Sequence, residues 1–128
     1  MSYVMGNGKF ADTLDVPLEG SANAEVARGA SGAGSAIEIG DYGTGCFELI
    51  CSAVSGTSPT LDTVIQTSKD GTGSGLGAWR TAGTFAQVTG AGSQRISATG
   101  LDRFIRASST IGGSATPIVT YYIKGEVK

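Results

Sequence analysis

The sequence predicts an all-β fold: a single antiparallel β-sandwich of roughly seven or eight strands, with jelly-roll and immunoglobulin-like strand orders both compatible. Three observations predict it. Apolar residues recur at every second position in several runs, no stretch sustains a helical period, and Gly/Ser/Thr/Pro clusters break the runs at short intervals. The longest case is Cys46 to Gly71, CFELICSAVSGTSPTLDTVIQTSKDG. Phe47, Leu49, Cys51 and Ala53 share one face of an extended strand, and Glu48, Ile50, Ser52 and Val54 share the other. Leu61, Thr63, Ile65 and Thr67 alternate in the same way with Asp62, Val64, Gln66 and Ser68. Ser55-Gly56-Thr57-Ser58-Pro59 between the runs reads as a hairpin loop.

Taken in order, residues 1–18 read as an N-terminal arm followed by an edge strand, since Gly6-Asn7-Gly8 interrupts the chain and Pro17 limits any helix over Phe10–Leu14. Residues 19–36 are almost all Gly, Ala and Ser, with Val26 as the anchor, and read as a loop or a loosely held strand and turn. Residues 37–128 form the sandwich body, so the chain is one domain overall. In the body, Ile37, Ile39 and Tyr42 restart a strand, Lys69-Asp70-Gly71 is a tight turn, and Gly71 to Gly77 is a flexible loop. Short strands are expected over Gly83–Val88 and Gln94–Ser97. Arg103, Ile105, Ala107, Ser109 and Ile111 then alternate with Phe104, Arg106, Ser108 and Thr110, and Gly112 to Pro117 reads as a turn into Ile118–Lys124. Each half of the body thereby contributes one long hairpin.

A chain of 128 residues buries about two-thirds of its unfolded surface, enough for a core without covalent staples. The net charge of −2 is unevenly distributed. Through Asp62 eight acids face only Lys9 and Arg28, and after it seven bases face Asp70, Asp102 and Glu126. Strands from the two halves neutralise one another if they pair. Cys46 and Cys51 lie about 17 Å apart on one strand, too far for a disulfide, and two unpaired thiols fit synthesis in a reducing cytoplasm. Met1 to Phe10 lacks the apolar core of a signal peptide, and no apolar run reaches membrane-spanning length.

The chain contains no histidine, which removes the usual general base and the commonest zinc ligand. The acid pairs Asp12/Asp15 and Glu38/Asp41 match no calcium-loop pattern. Gly71-Thr72-Gly73-Ser74-Gly75 lacks the Gly-Lys-Ser/Thr that completes a phosphate cradle. Arg95, Arg103, Arg106 and Phe104 come nearest to a basic, aromatic nucleic-acid stripe, but Arg103 and Arg106 fall on opposite faces. Trp79, the only tryptophan, is either a core plug or, with Tyr121 or Tyr122, a sugar-stacking platform. These readings give no catalytic residue, no metal, no cofactor, no nucleic acid and no membrane: a non-enzymatic protein.

Thr57-Ser58-Pro59-Thr60-Leu61-Asp62, Lys69-Asp70-Gly71, Trp79, Thr84-Phe85, Val88-Thr89-Gly90, Gln94-Arg95, Arg103-Phe104-Ile105-Arg106-Ala107 and Gly113-Ser114 to Pro117 together resemble the small β-sandwich proteins encoded among tailed-phage head genes. The resemblance covers about Ile37 to Lys124. It implies a virion protein, made in the host cytoplasm, that binds the major capsid protein on the capsid exterior and decorates or cements the shell. It implies self-association as a dimer or trimer as well, to match the symmetry axes of a shell. Tyr3, Val4, Met5 and Phe10 of the arm are the candidate partner interface, as apolar side chains on a segment able to order on binding. The same pattern is similar to modules of phage tails and fibres, where the function would be receptor or carbohydrate binding.

Overall fold

The two alternating runs of the central stretch do not pair with each other. In the computed structural model, which describes residues 14–19 and 26–128, they form one continuous 24-residue strand, Gly45–Ser68. Its partner is a second 24-residue strand, Phe104–Val127. In chain order the elements are β1 (Leu14–Glu19), β2 (Val26–Arg28), β3 (Gly32–Ala33), β4 (Ile37–Glu38), β5 (Gly45–Ser68), a 3-10 turn (Gly75–Gly77), β6 (Arg80–Thr84), β7 (Gly92–Ala98) and β8 (Phe104–Val127). All eight strands belong to one antiparallel sheet.

β5 and β8 pair from Gly45↔Val127 to Ser68↔Phe104, with register shifts between Cys51 and Ala53, Ser55 and Thr57, and Thr57 and Thr60. The two expected hairpin turns, Ser55–Pro59 and Gly112–Pro117, are therefore bulged bends inside these strands. The reason lies in the partners. Each alternating run finds a full-length complement in the other long strand, so the Gly/Ser/Pro residues bend the chain without reversing it. Left-handed backbone at Gly56 (φ 101°) and Ser58 (φ 48°) in β5 faces the same at Gly113 (φ 121°), Ala115 (φ 57°) and Thr116 (φ 54°) in β8. Bulges add local twist and curvature.

The bend folds the ladder double. A straight strand of 24 residues spans about 80 Å, yet the ends of this one are tied together. Leu101, just before the Phe104 that pairs Ser68, donates its N–H at 2.9 Å to the carbonyl of Gly43, just before Gly45 at the other end. Across the fold, β6 on the second half of β5 faces β7 on the first half: a Cβ built on Gly83 would lie 3.0 Å from Ile96 Cδ1. The outer edges follow the same bend. β1 and β2 pair the second half of β8, and β3 and β4 pair its first half. Between β6 and β7, Val88 bridges Leu61. Four passes of chain, residues 14–38, 45–68, 80–98 and 104–127, thus lie in the order first, fourth, second, third in both layers. That is the strand order of a jelly roll.

The alternation survives the bend. Phe47, Leu49, Cys51, Leu61, Thr63, Ile65 and Thr67 of β5 are buried, as are Ile105, Ala107, Ser109, Val119, Tyr121 and Ile123 of β8. Ala53, expected on the inner face, is exposed because the first bulge falls just before it. Ile39 and Tyr42 reach the core from the chain beyond β4, which is shorter than the strand expected there. The buried threonine and serine hydroxyls are bonded: Thr63 Oγ1 and Ser109 Oγ lie 3.0 Å apart, and Thr67 Oγ1 donates to Phe104 O at 2.9 Å. The acids of the N-terminal half do meet the bases of the C-terminal half, as Glu48 with Arg95 and Lys124, and Glu38 with Arg103.

The Phe47 ring is housed by two glycines. A Cβ on Gly125, its register partner, would lie 2.3 Å from Cδ1 of the ring, and one on Gly45 would lie 2.8 Å from Cε2. Gly125→Ala is expected to destabilise the fold by about 1–3 kcal/mol through overpacking, measured as a shift in the urea midpoint. Gly90→Ala, whose Cβ meets nothing within 4 Å, should leave that midpoint within about 0.5 kcal/mol of its starting value.

Candidate functional site

The outer face of the layer formed by β3, β4, β6 and the adjoining halves of β5 and β8 is crossed by the segment that joins β5 to β6, residues 69–79. The sequence reading makes this segment a flexible loop; the structure shows it fastened at both ends. Ser68 Oγ is the hub, donating to Gly77 O at 2.6 Å and accepting from Gly71 N–H at 2.9 Å. Asp70 Oδ1 accepts from Thr72 N–H at 2.9 Å and from Thr72 Oγ1 at 2.7 Å. The hydroxyl and the amide of Thr72 hold the Asp70 carboxyl below the ordinary aspartate range. Gly77 leaves room beneath it: a Cβ there would sit 1.6 Å from Asp70 Oδ1, so a larger residue would displace the carboxylate.

The loop lies on aromatic rings. A Cβ on Gly71 would come within 3.3 Å of the Phe104 ring, and one on Gly73 within 3.5 Å of Trp79. Trp79 is half-buried, and the Arg106 guanidinium stacks on its ring with Cζ 4.2 Å from the centroid. Gln66, the register partner of Arg106, accepts from Arg106 Nε at 2.7 Å. At the tip of the loop Leu76 is 85% exposed. Trp79, Arg106 and Gln66, with Phe104 next to Arg106's strand position beneath the loop, form one connected outward cluster, and Leu76 lies on the loop that covers it.

This arrangement corrects the expectations for Trp79. Trp79 is no core plug. Neither does it share a platform with the tyrosines: Tyr121 is buried, and Tyr122, paired with Ile50, points outward from the opposite layer. Arg106 already covers a face of the indole. The three arginines form no stripe, since Arg95 lies on Glu48, Arg103 on Glu38 and Arg106 on Trp79. The Gly71–Gly75 loop cannot cradle phosphate readily, because the Asp70 carboxylate occupies the amide donor of Thr72. Cys46 is exposed and Cys51 buried, and no disulfide joins them.

Among the other candidates, Glu38 is engaged by Arg103, while Asp41 is exposed and lines an open depression with Gly40, Lys69, Leu101, Asp102 and Arg103. Both signs of charge line that depression, so it selects no simple ion. Among the described residues no group of three His, Cys, Asp or Glu side chains is placed to hold a metal ion, and no helix is long and apolar enough to cross a membrane. Tyr3, Val4, Met5, Phe10 and Asp12 lie outside the described residues, as does the side chain of Asp15. The Arg106–Trp79 stack is the feature that sequence reasoning misses, because it depends on which strand lies beside Gln66. No family model matches the chain, and no curated protein is significantly similar to it.

Removal of the Thr72 hydroxyl tests the loop. Thr72→Ala is expected to raise the titration midpoint of Asp70 toward the ordinary aspartate value, followed by side-chain carboxyl chemical shifts against pH. A depressed folded-state value means that the carboxylate's contribution to stability is present above the unfolded value and is lost as pH falls through the folded one. The variant should therefore lose part of Asp70's own contribution to the pH dependence in that acidic window, the bond from the Thr72 amide remaining.

Proposed function

We propose that the chain is a structural virion protein that binds the outside of a tailed-phage capsid and stabilises the shell. The observation that carries the reading is the strand order, a folded-double jelly roll over the stretch that resembles phage decoration proteins. Jelly rolls serve as capsid and lectin domains, and the step from fold to role here is one of analogy. The surface chemistry supports it. Glu38, Glu48 and Asp102 are taken up by arginine or lysine partners, and the outward surface includes a fastened loop with an apolar tip, which is suited to contact. The fibre-module reading asks for an open aromatic platform, and Trp79 is covered by Arg106 on one face.

In this reading the protein, as a dimer or trimer, contacts the major capsid protein at many equivalent positions, and individually weak contacts add up across the shell. The arm residues Tyr3, Val4, Met5 and Phe10 are proposed to order against a groove of the shell. The test is co-sedimentation with capsids of the encoding phage prepared without this protein. Saturation at a fixed ratio to the major capsid protein, with shells surviving to a higher temperature, is the expected result. Deletion of residues 1–10 should weaken binding by roughly tenfold or more. Shells that neither retain the full-length protein nor gain heat resistance would overturn the reading.

A further inference from the structure

One arginine on the outer face is held in place without being neutralised. Arg80, Arg95 and Arg103 each meet a carboxylate, those of Asp102, Glu48 and Glu38. Arg106 meets none among the described residues. Its guanidinium is stacked on Trp79 and oriented by the bond from Nε to Gln66 Oε1. A guanidinium carries five N–H donors in a planar fork, so the donors of its two Nη atoms are left without an acceptor among the described residues.

We infer that the Nη edge of Arg106, stacked on Trp79, which follows the exposed Leu76 by three residues on the same fastened loop, is a docking site for a carboxylate side chain of a partner protein that presents apolar surface beside it. Two planar N–H donors match two carboxylate oxygens, and an arginine whose plane is already fixed loses less freedom on binding than a mobile one. Tryptophan and arginine are the residue types most enriched where interfaces concentrate their binding energy. Leu76 is 85% exposed on a loop fastened through Ser68, Asp70 and Gly77. Burying it against a partner therefore costs little ordering, and apolar burial contributes in proportion to the area covered.

A nucleic-acid backbone fits this surface less well than a protein carboxylate. Phosphate binding gathers several cations along a track, whereas the neighbouring arginines are ion-paired and Asp70 adds a negative charge to the same loop. The identity of the partner as the capsid shell rests on the decoration reading. The carboxylate chemistry stands on Arg106 itself.

Two measurements separate these statements. In the first, the full chain is titrated with sodium acetate against sodium chloride at matched ionic strength, following the Arg106 Nε–H, Trp79 Nε1–H and Leu76 methyl resonances. Saturable, acetate-specific shifts confined to these groups are expected, with affinity at least tenfold weaker in Arg106→Lys, which keeps the charge but not the fork. No acetate-specific shift, or tighter binding of a short single-stranded oligonucleotide than of acetate at these groups, would overturn the inference. In the second, Arg106→Lys and Leu76→Ala, each checked for an unchanged unfolding temperature, are co-sedimented with shells and should bind roughly tenfold or more weakly. Wild-type binding matched by both variants overturns the inference and leaves the decoration reading standing. An acetate response in a protein that ignores shells overturns only the decoration reading.

Discussion

The pairing of β5 with β8 is the interaction on which the rest of the structure depends. These two strands run antiparallel over their whole length, and every other strand is hydrogen-bonded to one of them. Because both bulge at the same height, the ladder bends as a unit, and the inner faces of its two halves close on a common core. Side chains on a strand alternate with a strict period of two. Phe47 and Ile65, or Ile105 and Tyr121, therefore arrive on the same side after the bend only because the bulges preserve parity across it.

That arrangement sets the electrostatics. The N-terminal half of the sequence is acidic and the C-terminal half basic, and the ladder brings the two together. Glu48 lies between Arg95 of β7 and Lys124 of β8, and Glu38 of β4 beside Arg103. Exposed pairs of this kind contribute little stability individually, but they remove charge from the sheet surface. Arg106 stands apart because its register partner is Gln66, a neutral amide, and because Trp79 arrives from the loop to cover it. The distinctive surface of the molecule thus originates in one position of the register.

The loop over residues 69–79 shows how local chemistry and tertiary packing share the work. Asp70-Gly71 sets a turn and Thr72 closes it through the Asp70 carboxylate, interactions that span only a few residues. Ser68, Phe104 and Trp79 then fasten the turn to the sheet. Glycine at 77 leaves room for the Asp70 carboxylate, and at 71 it suits the left-handed backbone (φ 77°). A run that reads as loose filler is in this way a built structure.

Much of this protein was legible from its residues alone. Alternation marked the inner faces of β5 and β8, absence of a helical period fixed the all-β class, the charge asymmetry foretold cross-half ion pairs, and the Cys46–Cys51 spacing excluded a disulfide between them. These follow from side-chain period and distance along a strand, both local properties. Tertiary structure decided what distance in sequence conceals. Ser55–Pro59 and Gly112–Pro117 have the composition of hairpin turns, yet whether such residues reverse a chain or only bend it depends on the partner that flanks them. The run over residues 46–54 found its partner 65 to 80 residues away while the run over residues 61–68 found its own 36 to 50 residues away, both in the other long strand. The same pairing placed Trp79 against Arg106 and sent Tyr122 to the opposite layer, since the face a side chain occupies is local but its neighbour across the ladder is not.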